Sequence, residues 1–400
     1  MIRAFLVNFS ATLVATALST AATLIIVRSL SPADWGTSAS ALGLGQLLGA
    51  GLSFGTQIER VRRYSAMATD QRQLVAKTDS HARIALATAV FLVGCLIATV
   101  ATPAGVILVA AAGVYASLAS TNFLIASKQF VRAGLVVSAE KLLLLVFVGT
   151  AVITNAEGQM TLPIGQGVAG LVVCIAAGLS IRGPGSGLTL KQHTARVRRQ
   201  YSTGLFLGLT SLAPSLLLLD ASIVLAVAGP EQAGSFALAA RLVAPLTVAT
   251  SALVAVLMPF LISPAGGSPT TTPHSLGVLI VIYFIVLGVL AATASFWVPA
   301  VFGSTYSSSV VPVQLYVANA FAVFFTRVLV TVGQARGDDK AMSELVGAQV
   351  VLALVGVGLG ATLGGSTGAA SSVVITNTLL SLALGLRTWG RKSKTAGATS

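Results

Sequence analysis

Apolar runs of about 20 residues follow one another along this chain with almost no charge inside them, and that feature most constrains its fold. A bilayer core is about 30 Å thick, so a helix crossing it needs roughly 20 apolar residues. Inside hydrocarbon every backbone N–H and C=O must be satisfied within the protein, which a helix does segment by segment. The runs predict helices over 5–27, 36–58, 84–101, 104–124, 134–154 and 161–181, then over 203–227, 234–262, 277–299, 310–332, 345–363 and 368–386. Only Thr102-Pro103-Ala104-Gly105 parts the third from the fourth. The first run follows Met1-Ile2-Arg3 directly, but it is longer than the apolar region of a signal peptide and further spans follow at once. An uncleaved first helix is expected. The fold class is therefore all-α, a polytopic membrane protein of about 12 transmembrane helices.

Composition agrees. Of 400 residues 55% are hydrophobic and 9% charged, with mean hydropathy +0.91. A soluble chain carries roughly 25% charged residues to face water. The net charge of +13 does not imply nucleic acid as a partner, because no basic stripe with interleaved aromatics is present. Cys95 and Cys174 each lie inside an apolar run and read as small core residues. His81, His193 and His274 fall in three separate polar stretches, so no metal ligand set is expected. With no nucleotide loop and no nucleophile–base pair tied to a motif, no enzyme activity, catalytic residue or cofactor is expected.

Charge sets the orientation. The segments 1–4, 59–83, 125–133, 182–202, 263–276, 333–344 and 387–400 alternate onto one side of the membrane and hold all but four of the 24 Lys and Arg. The exceptions are Arg28 on the opposite side and Lys141, Arg241 and Arg327 within helices. Cytoplasmic segments carry the basic excess. A cell-membrane protein with both termini in the cytoplasm follows.

The halves of the chain match. A shift of 198 residues lays Ile25-Ile26-Val27 on Ile223-Val224-Leu225, Pro32 on Pro230, Gly36 on Gly234, and Leu44 and Leu48 on Leu242 and Leu246, with Gln232 where Asp34 stands. Proline and glycine bracket the turn between the first two helices of each half. Six helices separate the copies, so the repeats are parallel, which predicts two six-helix bundles around a central cavity. The expected domains are 1–190 and 191–400, with a tail at the carboxy terminus. The stretch 182–202 carries Gly183-Pro184-Gly185-Ser186-Gly187 and five basic residues, and reads as a linker or a solvated, topology-setting loop.

The turn Arg28-Ser29-Leu30-Ser31-Pro32-Ala33-Asp34-Trp35-Gly36 resembles the turn after the first helix of polysaccharide-type flippases in the multidrug/oligosaccharidyl-lipid/polysaccharide exporter superfamily. Asp220 followed by Gly234 and Ala240-Arg241-Leu242 is similar to that family's pattern in its second half, with Phe236 where tyrosine is commoner. Phe302-Gly303-Ser304-Thr305-Tyr306 and Gly364…Gly368-Ala369-Ala370 fit as well, while 263–276 departs by carrying no basic residue. The resemblance implies flipping of a polyprenyl-pyrophosphate-linked oligosaccharide from the cytoplasmic to the outer leaflet by alternating access. The lipid-linked saccharide and membrane lipids would then be partners, with a glycan polymerase or glycosyltransferases beside them. Two rivals stand. A major facilitator or multidrug efflux transporter would match Gly55-Thr56-Gln57-Ile58-Glu59-Arg60-Val61-Arg62-Arg63 in part, and the other is a non-transporting scaffold of a glycan-assembly complex.

A charge in a membrane helix is disfavoured by about 2.5–3.5 kcal/mol on insertion scales, so it faces a cavity or a partner. Arg28, Arg241, Arg327 and Lys141 are the cations available to a pyrophosphate, arginine offering a planar fork for its oxygens. Asp220 and Glu140 are the acids, hence the candidates for a coupling proton or sodium ion. Asp220 and Arg241 come out at one depth, about 10 Å from the outer side, and are expected to pair. Glu140 and Lys141 sit about 100° apart around a helix, which argues against both facing one partner, and Lys141 and Arg327 could instead snorkel to the inner headgroups. Pro214, Pro245 and Pro259 mark places where the seventh and eighth helices could bend.

Overall fold

A computed structural model of the chain describes residues 2–53, 69–126, 129–156, 158–179, 215–261, 274–335 and 339–396. These residues are almost entirely helical. They form two compact units, Met1–Ser222 and Ile223–Ser400. The stretch 182–202 and the boundary at 190 lie outside the described residues.

The amino-terminal unit contains α1 (Ile2–Ser29), α2 (Pro32–Ser53), α3 (Thr69–Ala98), α4 (Thr102–Ala126), α5 (Phe130–Ile153) and α6 (Thr161–Leu179). A short 3₁₀ turn, Leu217–Leu219, leads into α7 (Asp220–Ala228), within which the two units meet in sequence. α4 is the central helix and packs against α2, α3, α5 and α6. Small residues permit this. A methyl group at Gly113 would overlap the Gln166 carbonyl oxygen, and one at Gly45 would lie 2.6 Å from the Ala110 Cβ. The outer faces are aliphatic: Leu92 and Leu96 on α3, and Leu135, Leu142 and Val146 on α5, are all at least half exposed. Such rows are stable only against hydrocarbon.

The carboxy-terminal unit continues with α8 (Pro230–Leu261), α9 (His274–Ala292), α10 (Ala294–Phe302), a 3₁₀ segment Ser304–Ser309, α11 (Val310–Ala335) and α12 (Asp339–Ala396). Here α11 is central, packing on α8, α9 and α12. It holds the tenth apolar run as α4 holds the fourth, so each unit is arranged around the corresponding helix.

The matched turns close alike. The Trp35 N–H donates to the Ser31 carbonyl at 2.9 Å, and 198 residues later the Ala233 N–H donates to the Gly229 carbonyl at 3.1 Å. In both, proline occupies the first helical position, where no N–H is needed. They differ in capping. The Ser31 hydroxyl accepts from the Asp34 N–H at 3.2 Å, an N-cap bond, and donates to the Asp34 carboxylate at 2.7 Å. Gly229 instead turns the chain at φ +86°, and Gln232 is freed to accept from the Ser366 N–H at 2.9 Å and the Ser366 hydroxyl at 2.8 Å.

Each expected run falls at least in part on described helix. Among the described residues seven stretches are long and apolar enough to cross a membrane, or eight if the bent α9–α10 pair is one span. The chain is a multi-pass membrane protein. The expected division between the last two runs is present: α12 is two helical limbs parted at Gly364 and Gly365, the latter at φ +57°, where the chain reverses and Gly360 meets Gly368. Two boundaries need correction. The ninth run is not one straight helix: α9 and α10 meet at 68°, and the carbonyls of Leu290 and Ala291 near the break accept from Trp297 Nε1 at 3.1 Å and Gln314 Nε2 at 3.2 Å. Finally, 59–83 is not all loop. The chain is helical from Thr69, and Arg83 is buried on α3. Pro245 and Pro259 lie within the uninterrupted α8, whereas Pro214 is outside the described residues.

Candidate functional site

The densest polar cluster among the described residues lies inside the amino-terminal unit, where α4, α5 and α6 meet. Glu140 is 1% exposed, on a helix whose opposite face is lined by exposed Leu135, Leu142 and Val146. Its carboxylate is saturated. Oε1 accepts from Lys141 Nζ at 2.7 Å and from Gln166 Nε2 at 2.6 Å, while Oε2 accepts from the Ser117 hydroxyl. Lys141 Nζ also donates to Gln166 Oε1 at 3.0 Å. Three helices thus contribute to one closed set of charge-assisted bonds, which is what a buried ion pair needs to persist.

This corrects two expectations. Glu140 and Lys141 do share one partner: the Gln166 amide presents its donor to the acid and its acceptor to the amine. Lys141 points into this cluster and not toward headgroups, although 21% of its side chain stays accessible. Its helix starts at Phe130, so the pair lies about 15 Å along α5.

A second buried cation belongs to the same unit. Arg83, 7% exposed, donates through Nη1 to the Tyr115 hydroxyl at 3.3 Å, with its guanidinium 5.8 Å from the Tyr115 ring centre. Around them pack Ala87, Ala116, Leu171 and Cys174. The ring face supplies cation–π attraction that substitutes for part of the lost hydration.

The other expected residues lie on four further helices. Arg28 is exposed in the last turn of α1, where a cation suits the negative helix end. Asp220 opens α7 and accepts from the Ala221 N–H at 2.6 Å. It is half-buried, about 12 Å along its helix from Ala228. Arg241, also half-buried, is about 16 Å along α8 from Pro230. Arg327, on α11, is exposed and interacts electrostatically with Tyr283 of α9. The Tyr283 hydroxyl bonds the Thr250 hydroxyl at 2.6 Å and donates to the Leu246 carbonyl at 3.1 Å. Beside it Phe284 stacks with Phe321 and Phe325 and meets Phe324 edge-on.

Ser117, Gln166, Arg83 and Tyr283 are absent from the sequence-based candidates. The first two are uncharged, and a search for charges passes over them. Gln166 nevertheless leaves a trace, as a large amide within the run 161–181.

No protein-family model and no curated protein sequence matches the chain. Solved structures do. A multidrug resistance MATE family transporter of the MOP superfamily, in an inward-facing conformation, superposes with TM-score 0.65 at 17% identity over 96% of each chain. The lipid II flippase MurJ, in its inward closed conformation, gives TM-score 0.67 at 11% identity over 98% of this chain and 88% of its own. A MOP superfamily transporter from Pyrococcus furiosus, described as having a binding pocket of reverse polarity, gives 0.52 at 16% identity over 97% and 96%. At such identities the likeness is one of fold. The chain has the fold of the MOP-superfamily transporters.

Proposed function

We propose that the protein is a flippase that moves an anionic, lipid-linked saccharide from the cytoplasmic to the outer leaflet by alternating access. The observation that carries this reading is the sign of the charge held in the membrane helices. Among the described residues of the apolar spans and of α7 and α8, Arg28, Arg83, Arg132, Lys141, Arg241, Arg327 and Arg387 are set against Glu140, Asp220, Glu231 and Glu344, and Glu140 is already engaged by Lys141. A surplus of guanidinium groups among apolar helices suits a pyrophosphate and disfavours a cationic cargo. The shared fold with a lipid II flippase supports the same reading. The shared fold with a multidrug transporter supports efflux of small molecules as the second reading.

Arg241 and Arg28, which stand in the motifs that resemble the flippase pattern, are proposed as headgroup contacts. Arg327 would add a further cation. Flipping of a fluorescent polyprenyl-pyrophosphate oligosaccharide in proteoliposomes tests this. Arg241→Ala and Arg28→Ala are each expected to slow it about ten- to a hundredfold, the loss for one charge-assisted contact. Arg→Lys should rescue only in part, since the charge stays and the fork is lost. Parent-like flipping by well-folded alanine variants would show that the headgroup binds elsewhere.

The orientation is proposed from the basic bias: both termini and the stretches 59–68 and 182–202 are cytoplasmic. In a variant lacking Cys95 and Cys174, cysteines placed at Ser65 and Ser202, which lie outside the described residues, should stay unlabelled by an impermeant maleimide added to intact cells. Strong labelling from outside would invert the topology.

A further inference from the structure

The closed set around Glu140 has a consequence for any anion that reaches it. Lys141 is the only cation bonded to Glu140 among the described residues, and 21% of its side chain is accessible. Glu140 is sealed: 2% of its side chain is exposed, behind Ser117, Lys141 and Gln166. An anion that takes the Lys141 ammonium would leave a carboxylate in a nearly anhydrous site, held only by a hydroxyl and an amide. A buried carboxylate without its cation is strongly disfavoured, and the group neutralises by binding a proton. Among the described residues no second cation stands ready. Of the helices packed on α5, α4 brings Tyr115, which bonds Arg83, and α6 brings Cys174; α1 has Arg3 and Arg28 only at its two ends. On α5 itself the other charge is Arg132, more than two turns away and bonded to Gln129.

We propose that anion binding at Lys141 and proton binding at Glu140 are one event, so that the amino-terminal unit takes up an anionic headgroup together with a proton. This rests on the reading of an anionic substrate given above, and adds the coupled ion and its sign. The two ligands bind cooperatively: one vacates the ion pair that holds off the other. The Gln166 amide makes the exchange feasible, because its carbonyl can accept from the protonated acid once Lys141 has turned away.

Farnesyl diphosphate, a short anionic lipid, serves as the probe with the full-length protein in detergent. Titration in sodium-free solution, in buffers of different ionisation enthalpy, counts protons taken up on binding. Because the diphosphate itself titrates, the quantity compared is the difference between the parent and Glu140→Gln, which mimics the protonated acid. The parent is expected to take up close to one proton more than Glu140→Gln. Its affinity should rise by up to about tenfold for each unit the pH falls, once the change measured for Glu140→Gln is subtracted. Glu140→Gln should bind at least as tightly as the parent at low pH. The double variant Glu140→Gln/Lys141→Gln, which has no charge to strand, should lose most of the affinity.

Binding by the parent with the same proton count as Glu140→Gln would overturn the coupling and leave the anionic-substrate reading intact. Uptake that appears only when sodium is added would assign the carboxylate to a metal cation and overturn the proton. If the parent binds no diphosphate at any pH, the anionic-substrate reading itself fails, and the coupling falls with it. Should Glu140→Gln not fold, the parent's count against the probe titrated alone still decides, since binding with no excess uptake overturns the proposal.

Discussion

Lys141→Ala is expected to destabilise the amino-terminal unit by about 3–5 kcal/mol, the usual result of removing one partner from a buried ion pair. The loss arises at Glu140, whose carboxylate is left at 1% exposure with only Ser117 and Gln166 to bond it. Adding Glu140→Gln to Lys141→Ala should recover most of the stability, because no charge is then left unpaired. The penalty should also depend on pH, with a definite sign. Acid supplies the proton that removes the stranded charge, so the single variant should lose less at low pH and more as pH rises. Thermal melting in detergent at two pH values checks both effects. A Lys141→Ala protein that melts with the parent would show that the pair contributes nothing to the packing of α4, α5 and α6.

Gly368→Val is expected to be the most damaging change in the carboxy-terminal unit. A Cβ built at Gly368 overlaps the backbone carbonyl of Gly360 across the reversal of α12, and backbone cannot rotate away as a side chain can. Overpacking commonly costs about 1–3 kcal/mol, and here it must separate two limbs of a helical hairpin. A control lies in the same helix. Nothing stands within 4 Å of a Cβ at Gly347, so Gly347→Ala should be neutral or add up to about 1 kcal/mol of helix propensity. Melting temperatures of the two variants should therefore diverge. Similar melting would mean that the limbs can part without loss.

What the sequence could reveal follows from which forces act locally. Helices declare themselves because a long apolar run has few alternatives in a bilayer, so each expected span meets described helix. Turns with a steric signature were also legible, since Pro32 and Pro230 start their helices where the repeat placed them. The helix ends were not. The first turn of α5 begins at Phe130, four residues before the expected start, because a helix extends past its apolar core wherever polar residues cost it nothing. Arg83 read as a loop charge for the same reason: hydropathy averages over a window, and a single arginine at the edge of one looks solvated. Only tertiary packing against Tyr115 places it inside. The Glu140 cluster shows the opposite case. Its two charges stood out at once, but Ser117 and Gln166, which decide whether those charges can remain, lie on other helices, and no periodicity within one helix could join them.

The pairing of Glu140 with Lys141 also has an electrical meaning. A lone charge carried across a polarised membrane exchanges about 2.3 kcal/mol with the field for each 100 mV. Neighbouring residues of opposite sign, 2.7 Å apart, move together and present almost no net charge to that field. Shifts of the pair itself are therefore nearly invisible to the membrane voltage while the bond is closed.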